Sequence, residues 1–278
     1  MSEIARRFRH PEVERMVRVG GFVYAHRWAE GNAGNMSVRL TGRPRNLAFF
    51  RGGAEGQLPM AFPALAGEWF LVTATGRRMR DLARDPGAGL LLVEILRDGR
   101  RWRARWGLGT PTSEFACHLA VHDACVERHP ESRAVLHVHS PHLIILSHLA
   151  RMRRPGALRA ALERVHPEAG VLLGLRGLNF VPFRVGGTPA LARATGAAMR
   201  GAELAMWAMH GLVVRAADLE TALDHAEMAE RAAELYLWRL AADPKARGLT
   251  ARQLAAVRAV FRPKALSKQM PVPPLLGI

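Results

Sequence analysis

Short apolar segments alternate along this chain with longer segments whose apolar residues recur at helical spacing. Leu90–Leu96 and Arg101–Trp106 are two of the short segments, and Asp98–Gly99 between them is typical of a tight β-hairpin. Helical spacing is clearest over Pro11–Glu30, and Gly31 is expected to end that helix. Strands that interleave with helices and include hairpins predict an α/β domain around a mixed sheet.

The same patterns predict further elements along the chain. The predicted strands are Met36–Leu40, Trp69–Thr75, Ala134–Val138, Leu178–Phe183, Leu204–Ala208 and Leu212–Val214. The predicted helices run from a cap at Thr112 or Ser113 to Arg128, and over Pro141–Ala150, Pro189–Arg200, Asp218–Ala241 and Thr250–Val260. Residues 1–278 are expected to form one domain, with 41–66 as a loop excursion and 261–278 as a C-terminal tail.

The cysteine content and the apolar runs point to a compartment. Cys117 and Cys125 are too far apart on one helix for a disulfide, which fits a reducing environment. No apolar run approaches the roughly 18–20 residues that cross a bilayer. The basic N-terminal segment lacks the apolar core of a secretory signal. We therefore expect a cytoplasmic protein that does not associate with membranes.

The net charge is strongly positive, with 40 Lys and Arg against 24 Asp and Glu and a formal charge of +16. Such a charge favours a partner that carries phosphates: a nucleic acid, an anionic membrane or a phosphorylated metabolite. The arginines are spread along the chain, and neither a zinc-finger nor an aromatic–basic RNA-binding pattern occurs. Nucleic-acid binding is therefore a minority hypothesis, and a generally arginine-rich surface is the simpler explanation.

Three histidines are candidates for a metal site. His137 and His139 lie at the end of an apolar strand, where side-chain alternation puts both imidazoles on one face. His210 follows another apolar segment and precedes Gly211, at a turn that can aim its ring inward. Three histidines with an open coordination position are typical of a catalytic zinc site.

A second set, Glu114, His118 and His122, has the spacing of one helix face. Two histidines four apart can bind zinc, but the His-Glu-x-x-His protease pattern is missing. We expect His118 and His122 to face solvent or to lie behind the site. Glu114 belongs in the first helical turn, where a carboxylate is favoured in any case, and its functional interpretation is a general acid/base at a metal-bound substrate.

Two glycine-containing turns and one helix start are candidates for phosphate binding. Their possible donors are hydroxyl, amide and backbone N–H groups, at Asn32, Asn35, Thr75, Gly76, Thr112 and Ser113. Each signal is weak by itself, because Asn and Gly are ordinary turn residues.

The scarcity of lysine restricts the chemistry. The lysines are Lys245, Lys264 and Lys268, and all of them lie near the C-terminal end. A Schiff-base mechanism needs a buried lysine with a lowered pKa, which these positions do not favour. A carbonyl enzyme with this sequence is therefore expected to use a metal as its electrophile.

Taken in order, the motifs Gly-Asn…Asn, Thr-x-Thr-Gly, Thr-Ser-Glu, His-x-His and Met-His-Gly resemble the class II aldolase/adducin family. The resemblance covers about residues 12 to 240. Within the family, the chain is most similar to the branch that acts on L-rhamnulose 1-phosphate. The shared features are Trp106–Gly107 before the Thr-Ser-Glu motif, the 41–66 excursion and Gly187–Thr188 before a helix.

This resemblance implies a fold and an activity. The fold is α/β, with a mixed, largely antiparallel central sheet flanked by helices. The activity is zinc-dependent retro-aldol cleavage of a ketose 1-phosphate to dihydroxyacetone phosphate and an aldehyde such as L-lactaldehyde. One Zn²⁺ per chain would be bound by His137, His139 and His210, with Glu114 as acid/base and the six donors above around the phosphate. A homotetramer with sites between subunits is also implied.

The resemblance also implies a second catalytic glutamate, lent by a neighbouring subunit. Glu168 is the candidate for it, and an ordinary loop carboxylate is the alternative. Thr75 and Met209 depart from the residues common in the family at those positions, which bears on the choice of sugar. Other enzymes of the same fold remain alternatives, namely an L-fuculose-phosphate aldolase, a pentulose-phosphate epimerase, a dehydratase or a decarboxylase. A non-enzymatic adducin-like or basic binding module is a further alternative, but such modules lack the intact set of histidines.

Overall fold

One sheet of nine strands organises the residues that the structure, a computed structural model, describes: 8–44 and 53–261. The strands are β1 (Asn35–Arg39), β2 (Glu55–Gln57), β3 (Trp69–Thr73), β4 (Leu90–Ile95), β5 (Arg101–Trp106), β6 (Ala134–Val138), β7 (Leu178–Val181), β8 (Leu204–Trp207) and β9 (Gly211–Ala216). Their order is β2-β5-β4-β3-β1-β6-β9-β8-β7, and of these pairs β7–β8 alone is parallel. The predicted mixed, largely antiparallel sheet is confirmed.

Helices cover both faces of this sheet. They are α1 (Pro11–Ala25), α2 (Pro86–Gly89), α3 (Phe115–Cys125), α4 (Pro141–His148), α5 (Ala157–Leu162), α6 (Pro167–Arg176), α7 (Pro189–Met199), α8 (Leu219–Ala242) and α9 (Ala251–Val260). Short 3₁₀ turns occupy Pro63–Leu65, Met79–Asp81 and Ala150–Arg153. Among the described residues, no helix is both long and apolar enough to cross a membrane.

The apolar residues of the central strands divide between two cores. In β3, Leu71 belongs to the cluster that packs against α1, α4 and α8, whereas Phe70 and Val72 belong to the cluster that packs against α3 and α7. Burial of one such side chain contributes about 1.5–3 kcal/mol. Because both faces are buried, these strands are continuously apolar in the sequence instead of alternating with polar residues.

Strand β1 is the exception, and its position matters for the site. It lies between β3 and β6, with Asn35 paired to His137 and Ser37 paired to Val135. Residues two apart in a strand share a face, so Asn35 and Ser37 both point toward the α3 side of the sheet. The polar side chains of Asn35 and Ser37 therefore lie in the interior, near the imidazole of His137.

The first helix ends earlier than the sequence predicted. Helix α1 stops at Ala25, not at Glu30, because Arg27 adopts a left-handed conformation with φ of 60°. The N–H of Trp28 then bonds the carbonyl of Val23 at 3.0 Å, and the N–H of Arg27 bonds that of Tyr24 at 2.9 Å. These two bonds form a Schellman motif, in which a non-glycine residue takes the position that glycine usually fills.

Two further predictions change in detail. The cap of α3 is Glu114 and neither Thr112 nor Ser113, because the N–H of Thr112 bonds the carbonyl of Thr73 and ties that residue to β3. Within the predicted 41–66 loop, the structure places β2 and the Pro63–Leu65 turn, while residues 45–52 lie outside the described part. The predicted tail is described only at Phe261. Helix α8 begins as predicted, since Asp218 accepts the N–H of Thr221 at 2.8 Å.

Candidate functional site

The three candidate metal ligands converge at one end of the sheet. His137 lies near the end of β6, His139 follows that strand directly, and His210 occupies the turn between β8 and β9. One nitrogen from each ring lies within 4.8 Å of the others. Since β6 and β9 are neighbouring strands, their pairing brings together histidines that are about 70 residues apart in the chain. The structure therefore brings the predicted triad together.

The turn that holds His210 has an unusual backbone. Met209 is left-handed with φ of 59°, and its N–H donates to the hydroxyl of Ser147 at 2.8 Å. Gly211 follows, and a Cβ built there would lie 2.5 Å from the carbonyl oxygen of Val138 and 2.7 Å from Cε1 of His137. Only glycine allows β9 to pass this close to the histidines.

Hydrogen bonds fix the tautomers of two of these histidines. Nδ1 of His137 lies 3.0 Å from the carbonyl oxygen of Leu212, which can only accept, so Nδ1 carries the proton. Nδ1 of His139 likewise donates to the carboxylate of Glu30 at 2.7 Å. In the neutral form of either ring, the lone pair is therefore on Nε2. This pattern of an outer partner on the far nitrogen is the usual one for a metal-binding histidine.

The triad fits a zinc ion by its donor chemistry. Nε2 of His137 is buried and has no hydrogen-bond partner in the structure, which is costly unless another group binds it. Burial and the neighbouring His210 and His139 rings hold the pKa of His137 well below its usual value. Burial also lowers the pKa of His210. Neutral imidazoles with free lone pairs are the form that coordinates zinc.

Glu114 lies beside this triad at the start of α3, and it is buried. Its Oε2 accepts a hydrogen bond from Nδ2 of Asn35 at 2.9 Å and lies 3.5 Å from Nε2 of His137. Its Oε1 lies 3.4 Å from Nε2 of His210. A carboxylate so placed can take up or deliver a proton at a molecule bound next to the histidines.

A pocket of about 200 Å³ opens over these groups. Its lining includes Glu114, His139 and His210. It also includes all six predicted phosphate-site residues, which are Asn32, Asn35, Thr75, Gly76, Thr112 and Ser113. Three chain segments far apart in sequence meet here, so the predicted residues form one contiguous surface. Their contact with a phosphate stays a prediction.

Glu168 lies elsewhere in the chain. It is in the first turn of α6, is largely exposed, and is absent from the lining of this pocket. A hydrogen bond from Nδ1 of His166 at 2.9 Å lowers the pKa of its carboxyl group. The fold of one chain does not bring Glu168 to the site, so its role depends on a neighbouring subunit and stays a prediction.

The expectation that His118 and His122 face solvent is wrong. Both rings are buried between α3 and β1, with exposures of 1% and 2%, and both contact the hydroxyl of Ser37. The alternative prediction, that these histidines lie behind the site, agrees with the hydrogen bond between His118 and Asn35. Ser37 and Glu30 were not among the predicted site residues, although Ser37 lies two residues after Asn35 and so shares its face.

Known proteins resemble this chain in sequence and in structure. A rhamnulose-1-phosphate aldolase from Yersinia pestis (strain Pestoides F) is 29% identical over 262 residues, which are 90% of this chain and 93% of that protein. A sugar-phosphate aldolase from Thermotoga maritima is 30% identical with a TM-score of 0.70, covering 84% of this chain and 96% of its own.

A more distant structure shares the fold. L-fuculose-1-phosphate aldolase from Thermus thermophilus is 19% identical with a TM-score of 0.57, covering 86% of this chain and 100% of its own. The sequence profile of the class II aldolase and adducin N-terminal domain matches residues 14–237, most of the chain. This protein therefore belongs to the class II aldolase and adducin N-terminal domain family.

Proposed function

We propose that the protein is a zinc-dependent aldolase that cleaves a ketose 1-phosphate, specifically L-rhamnulose 1-phosphate, to dihydroxyacetone phosphate and L-lactaldehyde. The observation that carries the proposal is the Glu114 carboxylate, held 3.4–3.5 Å from two of three converging histidines in a pocket lined by amides and hydroxyls. The choice of sugar rests on the Yersinia relative, which is named for that substrate.

His137, His139 and His210 would hold one Zn²⁺ per chain. When bound, zinc acts as a Lewis acid that polarises a carbonyl oxygen and stabilises negative charge developing on it. The hydrogen bonds from His137 to Leu212 and from His139 to Glu30 orient the rings for this purpose. Preorganisation of this kind avoids a reorganisation cost during the reaction.

The chain's own acid/base groups would handle two protons. As the carbon–carbon bond breaks, the hydroxyl of the future aldehyde loses its proton and the electron pair of the bond stays on the dihydroxyacetone phosphate fragment. Glu114, beside the triad, would enter this step as the protonated acid and deliver its proton to that carbon. The hydroxyl proton would go to the partner subunit's Glu168. The two transfers balance, because one proton leaves oxygen and one reaches carbon.

The phosphate group would be bound by the six predicted donors, Asn32, Asn35, Thr75, Gly76, Thr112 and Ser113. Such contacts, remote from the breaking bond, would orient the substrate relative to Glu114. Lys245, the one lysine in the described part of the chain, is exposed, so no described residue supports a Schiff-base route.

Metal analysis combined with a cleavage assay tests the proposal. The purified protein should contain about one zinc per chain. It should release dihydroxyacetone phosphate from L-rhamnulose 1-phosphate faster than from L-fuculose 1-phosphate. Ribulose 5-phosphate is included as the substrate of the alternative epimerase activity. His139→Ala should lower the zinc content. Failure to release dihydroxyacetone phosphate from any ketose 1-phosphate would refute the aldolase assignment, and faster cleavage of the fuculose compound would refute the sugar assignment.

The proposed assembly is a cytoplasmic homotetramer with sites between subunits, acting on a small sugar phosphate without binding nucleic acid. Two exposed apolar residues, Phe183 and Val185, lie on the segment that leads to Gly186 beside Glu114, and they support a subunit contact there. Light scattering on the purified protein measures the subunit number directly, and a monomer would leave Glu168 without a route to the site. Retention on duplex DNA at low salt would contradict the expected absence of nucleic-acid binding.

A further inference from the structure

A row of buried polar side chains runs from the interior of the α3 face to Glu114. It comprises His122, Ser37, His118 and Asn35, and is called here the hydrogen-bond chain. We propose that the hydrogen-bond chain positions the catalytic carboxylate of Glu114 by fixing the orientation of the Asn35 amide. The inference rests on the proposed function, in which Glu114 is the acid/base.

The contacts of the hydrogen-bond chain are continuous. Ser37 Oγ lies 2.9 Å from Nε2 of His122 and 2.9 Å from Nδ1 of His118. Nε2 of His118 lies 2.5 Å from Oδ1 of Asn35. Nδ2 of Asn35 lies 2.9 Å from Oε2 of Glu114. Strand β1 supplies Asn35 and Ser37 from one face, and α3 supplies the two histidines one turn apart. The packing of α3 against β1 therefore brings all four side chains of the hydrogen-bond chain together.

The direction of each hydrogen bond follows from donor and acceptor counts. The Glu114 carboxylate can only accept, so Asn35 must present its NH₂ to it and its Oδ1 to His118. Nε2 of His118 therefore carries a proton, and in a neutral ring Nδ1 must accept from the Ser37 hydroxyl. That hydroxyl has one hydrogen, so His122 must donate to it from Nε2. Every proton in the row points toward Glu114.

Burial keeps this arrangement neutral and fixed. Ser37, His118 and His122 have exposures of 0%, 1% and 2%. Burial, together with nearby His137, lowers the pKa of His118 to about 3. Burial, together with His118 and Arg39, holds the pKa of His122 well below its usual value. Neither ring gains a second proton near neutral pH, so neither can reverse the direction of its bonds.

The consequence for Glu114 is a difference between its two oxygens. Oε2 is held by Asn35, whereas Oε1 faces His210 and Gly186 at the pocket. The hydrogen-bond chain thus selects Oε1 as the oxygen that exchanges a proton with the substrate. A second role follows for Asn35, because Nδ2 of its amide bonds Glu114 and Oδ1 bonds His118.

Paired substitutions at His118 test this role. The amide of glutamine can reach the place of Nε2 and donate to Asn35, whereas the shorter asparagine reaches only the place of Nδ1. His118→Asn should lower kcat about 10- to 100-fold with a smaller change in KM and unchanged zinc content. His118→Gln should recover most of kcat. His225→Gln is the matched control, because it removes a buried histidine outside this row and should leave kcat unchanged. Wild-type kcat in His118→Asn, or equal losses in both variants, overturns the proposal.

A measurement on the unsubstituted zinc-loaded protein separates this inference from the proposed function. Long-range ¹H–¹⁵N correlation spectra report which ring nitrogen of each histidine carries the proton. We expect His118 and His122 to be neutral with the proton on Nε2. A proton on Nδ1 of His118 overturns the hydrogen-bond chain even if the sugar phosphate is cleaved. The expected tautomers in a protein that cleaves no ketose 1-phosphate support the row of bonds and refute the aldolase assignment.

Discussion

Replacing Gly211 by alanine places a methyl group between two of the candidate zinc ligands. The new Cβ would lie 2.7 Å from Cε1 of His137, 2.5 Å from the carbonyl oxygen of Val138 and 3.3 Å from Cδ2 of His139. Ordinary carbon–carbon contacts are about 3.5–4.0 Å, so roughly 1 Å of movement is needed at His137. The Val138 carbonyl belongs to the backbone of β6 and is held by the sheet. The imidazoles are therefore expected to take up much of the displacement.

The size of the effect follows from the tolerance of a metal site. Zinc–ligand distances vary by only about 0.2 Å, far less than the required movement. Overpacking of this kind costs about 1–3 kcal/mol, and if all of it appears as lost affinity, zinc binding weakens about 5- to 150-fold. Competition with a chromophoric chelator measures the dissociation constant, and a thermal melt of the metal-free protein separates the loss of affinity from a loss of folding.

Gly21→Ala is the matched control. A Cβ at Gly21 meets nothing within 4 Å on the exposed side of α1, so zinc affinity should stay unchanged while stability rises by about 1 kcal/mol. A folded Gly211→Ala protein that binds zinc as tightly as the original would refute the argument, because the histidines beside Gly211 would then not be the ligands.

Three further changes test other parts of the structure. Glu114→Gln should retain zinc and lower the cleavage rate by about 100-fold or more, and near-normal turnover would remove Glu114 as the acid/base. Burial, with Arg176 nearby, lowers the pKa of His225 from 6.5 to about 4, so between these pH values the unfolded chain binds the extra proton. Stability should therefore fall with falling pH by about 1.4 kcal/mol per unit from this group; urea titrations of His225→Gln at several pH values should show a shallower slope, and an unchanged slope contradicts the assignment. Arg27→Gly should raise the free energy of unfolding by up to about 1 kcal/mol, since it relieves a left-handed non-glycine residue, and a loss of stability in urea would show that the Arg27 side chain matters more than its backbone.

The sequence predicted those parts of the site and of the fold that depend on local sequence patterns. His137 and His139 share a face because strand side chains alternate, and Asp218 caps α8 because an aspartate directly precedes the apolar repeat. The strands other than β2 were found because buried strands are apolar throughout, and their predicted ends differ from the observed ones by one or two residues at most sites.

The parts that failed depend on contacts between distant segments. Spacing put His118 and His122 on one face of α3 but gave no sign that this face was covered by Ser37, which is 81 and 85 residues away. The cap of α3 was misplaced because the backbone of Thr112 bonds to Thr73 in β3. The end of α1 was missed because glycine is the expected left-handed residue and Arg27 takes that position.

The central position of β1 has a consequence for the order of folding. Its contacts to the site span 79 residues from Asn35 to Glu114, and the adjoining Glu30–His139 contact spans 109. Contacts of such sequence separation slow folding, because long loops must close before they form. A partly folded chain that has made α1 and its local turns still lacks the ligand triad, whose last member is His210 in the hairpin between β8 and β9. On the proposed metal assignment, zinc uptake during refolding would report the pairing of β6 with β9, and it should lag behind the recovery of helical circular dichroism.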